Sequence, residues 1–161
     1  GIPVIAYDQY ISKGKLHSFL TSDNYQAGYL DGEFVASKFP NEQELKIVLV
    51  EYPHVSSTVE RVNGFLDALN KNKQSYKVLS TYQAVEPLSG RKAGKNILKD
   101  FPEKNSIDVI FTVNDGAWVC AKSNDVHMID RHRWLNQVGE VLSNAFYSVY
   151  FAIRLARVWH G

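Results

Sequence analysis

The sequence predicts a doubly wound α/β fold built on a parallel sheet. Two observations carry this. Short runs of branched apolar residues recur at Ile2–Tyr7, Lys46–Glu51, Tyr76–Tyr82 and Ile107–Val113, each long enough for one strand. Between them lie longer stretches with helical apolar spacing, bounded by turn formers such as Pro40 and Pro102. Strands alternating with helices in this way give parallel sheets with both faces covered.

Ile2–Tyr7 is a short apolar run closed by Asp8 and reads as a buried strand. Lys15–Ser22 holds a weaker one. Residues Asn24–Phe39 read as a helix, with Ala27, Leu30, Phe34, Val35 and Lys38 near helical spacing and Pro40 as the stop. Lys46–Glu51 is a strong buried strand. The next helix covers Ser56–Asn72, with Val59, Val62, Leu66 and Leu69 on one face. Tyr76–Tyr82 is a strand, Leu88–Phe101 a helix ended by Pro102, and Ile107–Val113 a strand. Gly28 and Gly32 fall on one helix, where they would permit close helix–sheet packing.

With 161 residues, 45% of them apolar and 22% charged, the chain has enough material for one domain with a real core. A net charge of +1 gives no global attraction to nucleic acid or an anionic membrane. The single cysteine, Cys120, rules out an internal disulfide. No signal peptide is visible, and the chain begins at Gly1 already inside a strand, which reads as the cut edge of something longer.

In open α/β sheets, ligands collect at the carboxyl ends of the strands. Asp8, the Tyr52–Thr58 loop, the Gln83–Ser89 loop and Asn114-Asp115 should therefore share one rim. Taken singly, each polar residue there has a structural reading. Arg61 is a solvated helix arginine on spacing alone, Asn114-Asp115-Gly116 is a turn plus a helix cap, and Asp8 caps a loop.

Four stretches in register change that balance. They are Gly1–Asp8 (GIPVIAYD), Thr21–Gly28 (TSDNYQAG), Ser56–Phe65 (SSTVERVNGF) and Ile110–Gly116 (IFTVNDG). In order and spacing the chain, over residues 1 to about 117, resembles the type 1 periplasmic binding proteins, the ribose-binding class of sugar receptors. The ligand domain of lactose-repressor-type regulators is the same fold.

The resemblance implies two α/β lobes around a ligand cleft, with this chain supplying mostly the second. Residues 1–22 would be a remnant of the first lobe up to the hinge, 23–128 the second lobe, and 129–161 an atypical tail. It also implies ligand binding by Arg61 and Asn114 first and Asp8 second, with Asp115 fixing the turn or capping the next helix. These residue types suit a sugar: carboxylate accepts, guanidinium donates through a planar fork, and the amide does both. Two departures leave the ligand open. Val85 stands where the family carries a ring-stacking aromatic, and Gln9 follows Asp8 where ribose binders often have Arg.

All three tryptophans, the cysteine and the only methionine lie in residues 118–161. One explanation is a second structural unit, with a helix over Val138–Trp159. The uncharged run inside it is too short to span a bilayer, and its Phe146, Tyr147, Tyr150 and Phe151 suit a strand as well. The other is a frame shift: Asp130–Leu135 written GAC-CGG-CAT-CGG-TGG-CTC and read one base later, with A following, gives Thr-Gly-Ile-Gly-Gly-Ser.

No metal or cofactor pattern is present. His17, His54, His127, His132 and His160 lack partner spacing, Cys120 lacks a base, Gly90–Gly94 lacks the Gly-Lys-Ser/Thr of a phosphate loop, and no G-x-S-x-G occurs. The expected function is therefore non-enzymatic. It is a fragment of a periplasmic receptor that binds a small carbohydrate and is read by a membrane permease or sensor, with no nucleic acid bound by this segment and no transmembrane segment. Two alternatives stand beside it: a cytoplasmic effector domain of a lactose-repressor-type regulator, and a doubly wound α/β enzyme.

Overall fold

The computed structural model describes residues 2–8, 10–11, 13–103 and 105–117. The readings of the tail, including the helix over Val138–Trp159 and the frame shift, lie outside the described residues, as do Gln9 and Cys120. The elements follow in the order β1 (Ile5–Tyr7), β2 (Ser18–Leu20), α1 (Asn24–Lys38), β3 (Leu45–Glu51), α2 (Ser56–Lys71), β4 (Tyr76–Gln83), α3 (Pro87–Asp100) and β5 (Val109–Thr112).

The expected parallel pairing is present, divided between two sheets. β1 and β2 form a two-stranded sheet, with Ala6 opposite Phe19. The other sheet has the order β4-β3-β5, with Leu49 opposite Thr81 on one side and Phe111 on the other. Stepping from β3 to β4 and then back across β3 to β5 reverses direction. Right-handed crossovers then put α2 and α3 on opposite faces of this sheet. Two-sided cover explains why all four residues of β5 are buried. The edge strand β4 carries a bulge: Val78 pairs with Ile47 and Ser80 with Val48, leaving Leu79 extra.

Local chemistry sets the helix limits. The Asp23 carboxylate accepts the Gln26 N–H at 2.9 Å, capping α1. Pro40 stands just beyond its last turn. Pro87 opens α3, where the Ser89 hydroxyl accepts the Glu86 N–H at 3.1 Å.

The core lies around β3. Phe65 of α2 stacks on Phe111 of β5, with ring centroids 4.2 Å apart and planes at 17°, and both rings are inaccessible to water. Burying each contributes about 1.5–3 kcal/mol relative to leaving it exposed.

Four expectations are corrected. Ile2–Tyr7 is not buried: only Ala6 is, and Ile5 is 60% exposed, because within the described residues no helix packs over the two-stranded sheet. The buried face of α1 is Asn24, Gly28, Asp31, Gly32 and Val35, whereas Leu30 is exposed. On α2, Val62 and Leu69 are buried and Leu66 packs against the core as expected, but Val59 is exposed and Phe65 and Ala68 sit deep, so the buried face is shifted from the expected one.

The fourth concerns Gly28 and Gly32, which serve a helix–helix contact. A Cβ on Gly28 would lie 1.9 Å from the Arg61 carbonyl oxygen, and one on Gly32 would lie 2.3 Å from that of Phe65. Gly64 of α2 reciprocates against the Tyr25 carbonyl. Small residues on both sides let α1 and α2 touch at backbone level, which fixes where the Arg61 side chain emerges.

Candidate functional site

The carboxyl ends of β3, β4 and β5 are stitched together. The Ala84 N–H donates to the Glu51 carbonyl at 3.0 Å, and the Val113 N–H donates to that of Val50 at 3.1 Å. Beyond these bonds the loops after β4 and β5 meet. The Asn114 amide nitrogen donates to the Val85 carbonyl at 3.0 Å. Gly116 lies against that same carbonyl, where a Cβ would come within 2.3 Å. The Asn114 side-chain oxygen accepts the Ala117 N–H at 2.8 Å.

Asn114 is therefore the helix cap, and the expectation that Asp115 does this is corrected. Asp115 is the first helical residue, and a cap acts from the position before it. The turn-plus-cap reading of this segment is correct for Asn114.

Arg61 is not a solvated helix arginine. It is half-buried, donating from Nη1 to the Val113 carbonyl at 2.7 Å and from Nε to the Asn24 side-chain oxygen at 3.0 Å. Two of its five N–H groups are thus engaged, and three remain for an acceptor outside the described residues. Arg61 and Asn114 consequently stand together, one bonded to the residue preceding the other. They lie where β3 and β5 adjoin, the point at which the strand order reverses. Crevices form there in doubly wound sheets.

Asp8 ends β1 on the other sheet and has a φ of 69°, in the left-handed region that few non-glycine residues adopt. Its side chain is exposed. Its backbone is held by Asp8 N–H to the Leu20 carbonyl at 2.8 Å and by the Thr21 hydroxyl donating to the Asp8 carbonyl at 3.0 Å. Two residues on, the Tyr10 N–H reaches the Ser56 hydroxyl at 3.5 Å, bringing this loop to the first turn of α2.

Several residues here escaped sequence reasoning. Asn24, 1% exposed, links Arg61 to Thr21 and Ser22; in sequence it stood within the Thr21–Gly28 stretch without a role of its own. Tyr52 and His54, in the turn after β3, form an edge-to-face pair with centroids 5.5 Å apart. Thr58 holds that turn, its hydroxyl proton shared between the Tyr52 and Val55 carbonyls at 2.5 and 2.8 Å.

Asp31, 6% exposed on the α1 face that meets α2, has one carboxyl oxygen without a partner among the described residues. Burial pushes its pKa up to about 9, against the pull of the Arg61 charge. The carboxyl is therefore held neutral at pH 7.

Comparison with known proteins supports the fold. The family described as periplasmic binding protein domain matches residues 1–147, a span that continues past residue 129. The ribose import binding protein RbsB of Haemophilus influenzae is 31% identical over 115 residues, covering 71% of this chain and 37% of that protein. Its Bacillus subtilis counterpart is 28% identical over 117 residues, covering 71% and 36%. Among solved structures, the Caulobacter myo-inositol binding protein bound to myo-inositol superposes with a TM-score of 0.64 at 26% identity, covering 76% of this chain and 43% of that one. The chain thus spans little more than a third of the length of the curated relatives it matches.

Proposed function

This chain belongs to the periplasmic binding protein family, and we propose that it supplies one wall of the cleft of a sugar receptor. In that reading residues 1–22 belong to one lobe, the crossover falls near Ser22-Asp23, residues 23–128 belong to the second lobe, and 129–161 are an atypical tail. The ligand is a small carbohydrate, and the role is binding without catalysis. A membrane permease or sensor in the periplasmic pathway would read the closed form, the ligand acting by shifting an open–closed equilibrium. Among the described residues, no helix is long and apolar enough to cross a membrane.

The observation that carries this reading is the meeting of Arg61 with Val113-Asn114 at the point where the strand order reverses. The free guanidinium N–H groups present a fork to a sugar oxygen, and hydrogen bonds from a charged donor are the stronger kind. Asn114, already bonded on both arms, offers its second amide hydrogen and second lone pair. Asp8 contributes a carboxylate from the opposite side. Tyr52 is half-buried without joining the hydrophobic core, so the Tyr52–His54 pair is the aromatic surface we assign to the sugar ring in place of one at Val85.

Saturation-transfer NMR of the 161-residue chain with D-ribose, D-fructose and myo-inositol tests the proposal. Saturable contacts that vanish in Arg61→Ala are expected. Absence of contact with any of the three, or contacts indifferent to Arg61→Ala, would overturn it.

A further inference from the structure

Asn24 stands at the start of α1, immediately after the crossover between the two sheets, and its side chain is almost completely buried. A buried amide must satisfy its groups within the protein, and this one does so in two directions. Its oxygen accepts from Arg61 Nε at 3.0 Å. Its nitrogen donates to the Thr21 hydroxyl at 3.3 Å and to the Ser22 carbonyl at 3.0 Å. The chain of bonds continues on both sides. Thr21 passes its own proton to the Asp8 carbonyl at 3.0 Å, and Arg61 donates to the Val113 carbonyl at 2.7 Å, beside Asn114. One buried side chain thus connects the loop holding Asp8, the crossover, Arg61 on α2 and, through Arg61, the Val113 carbonyl just past β5.

The packing makes this reach possible. Gly28, one turn further along α1, lies against the Arg61 carbonyl, so α1 and α2 are in backbone contact beside the Asn24–Arg61 bond. The arrangement also decides which part of the guanidinium is available. With Nε held by Asn24 and Nη1 by Val113, the group cannot rotate about its last bond without breaking a bond at one end. Nη2 is left without a hydrogen bond to the described residues.

We propose that Asn24 is a positioning residue: it aims Arg61 at the rim and ties that aim to the crossover between the sheets. Asn24 itself touches no ligand. A shift of the crossover at Thr21–Asp23 pulls on Asn24, and through it on the guanidinium, so movement of one sheet against the other is transmitted to the binding arm. The transmission is a two-step hydrogen-bond relay, Thr21 to Asn24 to Arg61. The sheets themselves need not deform. The consequence for sugar affinity rests on the receptor reading, whereas the aim of Arg61 does not.

The test uses 15N-labelled protein of the full 161-residue chain. In Asn24→Ala, the Arg61 Nε–H should exchange with water about ten-fold faster or more, the loss expected for one charge-assisted hydrogen bond. The amides of Phe65 and Phe111 should keep their protection.

Asn24→Asp separates the two arms and guards against misfolding of the alanine variant. It keeps the acceptor for Nε, so Arg61 exchange should return to the wild-type range. The donor arm is lost, so the Thr21 and Ser22 resonances should shift. Unchanged Arg61 exchange in Asn24→Ala overturns the proposal. So does a parallel loss of protection at Phe65 and Phe111, which would make Asn24 a general structural residue.

A D-ribose, D-fructose or myo-inositol titration adds the second arm: weaker binding in Asn24→Ala, restored in Asn24→Asp, is expected. If no sugar binds the wild type while Arg61 exchange behaves as stated, the positioning role stands and the receptor reading falls.

Discussion

Ile5 and Phe65 show how far one kind of sequence signal can diverge. Both sit in regular elements whose apolar pattern asks for burial. Ile5 is 60% exposed on a two-stranded sheet, while Phe65 is sealed between α2 and β5. The difference is one of layers. A parallel strand is buried only when something covers each face. β3 and β5 have α2 and α3, whereas β1 and β2 have no such cover among the described residues. The apolar pattern states which residues favour a core, and a second layer decides whether they get one.

Truncation makes the contrast measurable. Phe65→Ala should cost about 3–5 kcal/mol of unfolding free energy, and Ile5→Ala should stay within about 0.5 kcal/mol, both by urea denaturation. Comparable losses at the two positions would mean that the first sheet is covered in solution.

A second contrast lies inside the larger region. Alanine normally improves an exposed helix position over glycine, yet Gly28→Ala would place a methyl group 1.9 Å from the Arg61 carbonyl oxygen. We expect a loss of about 2–3 kcal/mol from forcing α1 off α2. It should be accompanied by faster exchange at Arg61 Nε, since Asn24 moves with the helix.

Asp31 sharpens the same interface through pH. Its folded pKa is raised from 3.8 to about 9, chiefly by burial. Between those values the unfolded chain releases a proton that the folded chain keeps, so stability falls as pH rises from about 4 toward 9. Asp31→Asn removes the ionisation. It should gain on the order of 2 kcal/mol at pH 7 and flatten the pH dependence in that window. A variant with an unchanged pH slope would place the titration elsewhere. Smallest of all is the expected effect of sugar on this chain alone. With a single wall of the cleft, calorimetry should show no micromolar affinity, and a micromolar dissociation constant would contradict the one-wall picture.

Much of the fold was legible because its signals are local. Branched runs named the three strands of the larger sheet, and Pro40 and Pro102 marked helix ends, whereas the Asp23 cap and the start of α3 at Pro87 came from the structure. The faces of α1 were not legible, because its buried stripe is made of Asn24, Gly28, Asp31 and Gly32, which no hydrophobic periodicity reports. Arg61 and Asn114 were named from motif register, and the structure brings them together. The assignment of the cap to Asp115 missed by one position. A side chain's role as cap depends on where the helix starts, which sequence fixes only within a residue or two. The role of Asn24 went unseen because its partner is distant in sequence: the Asn24–Arg61 bond spans 37 positions. Tyr52 and His54 fell inside the rim loop named from sequence, but their edge-to-face contact depends on the fold of that turn.

The central claim is that Arg61 and Asn114 serve one small carbohydrate together. The most direct measurement is a side-chain 1H–15N titration of this chain with myo-inositol and D-ribose, following Arg61 Nε and Asn114 Nδ2 in the same samples. The account predicts that both resonances move along one binding curve, with a weak shared dissociation constant, while Phe65 and Phe111 stay still. Movement of one without the other, or of neither while distant surface residues respond, would contradict it.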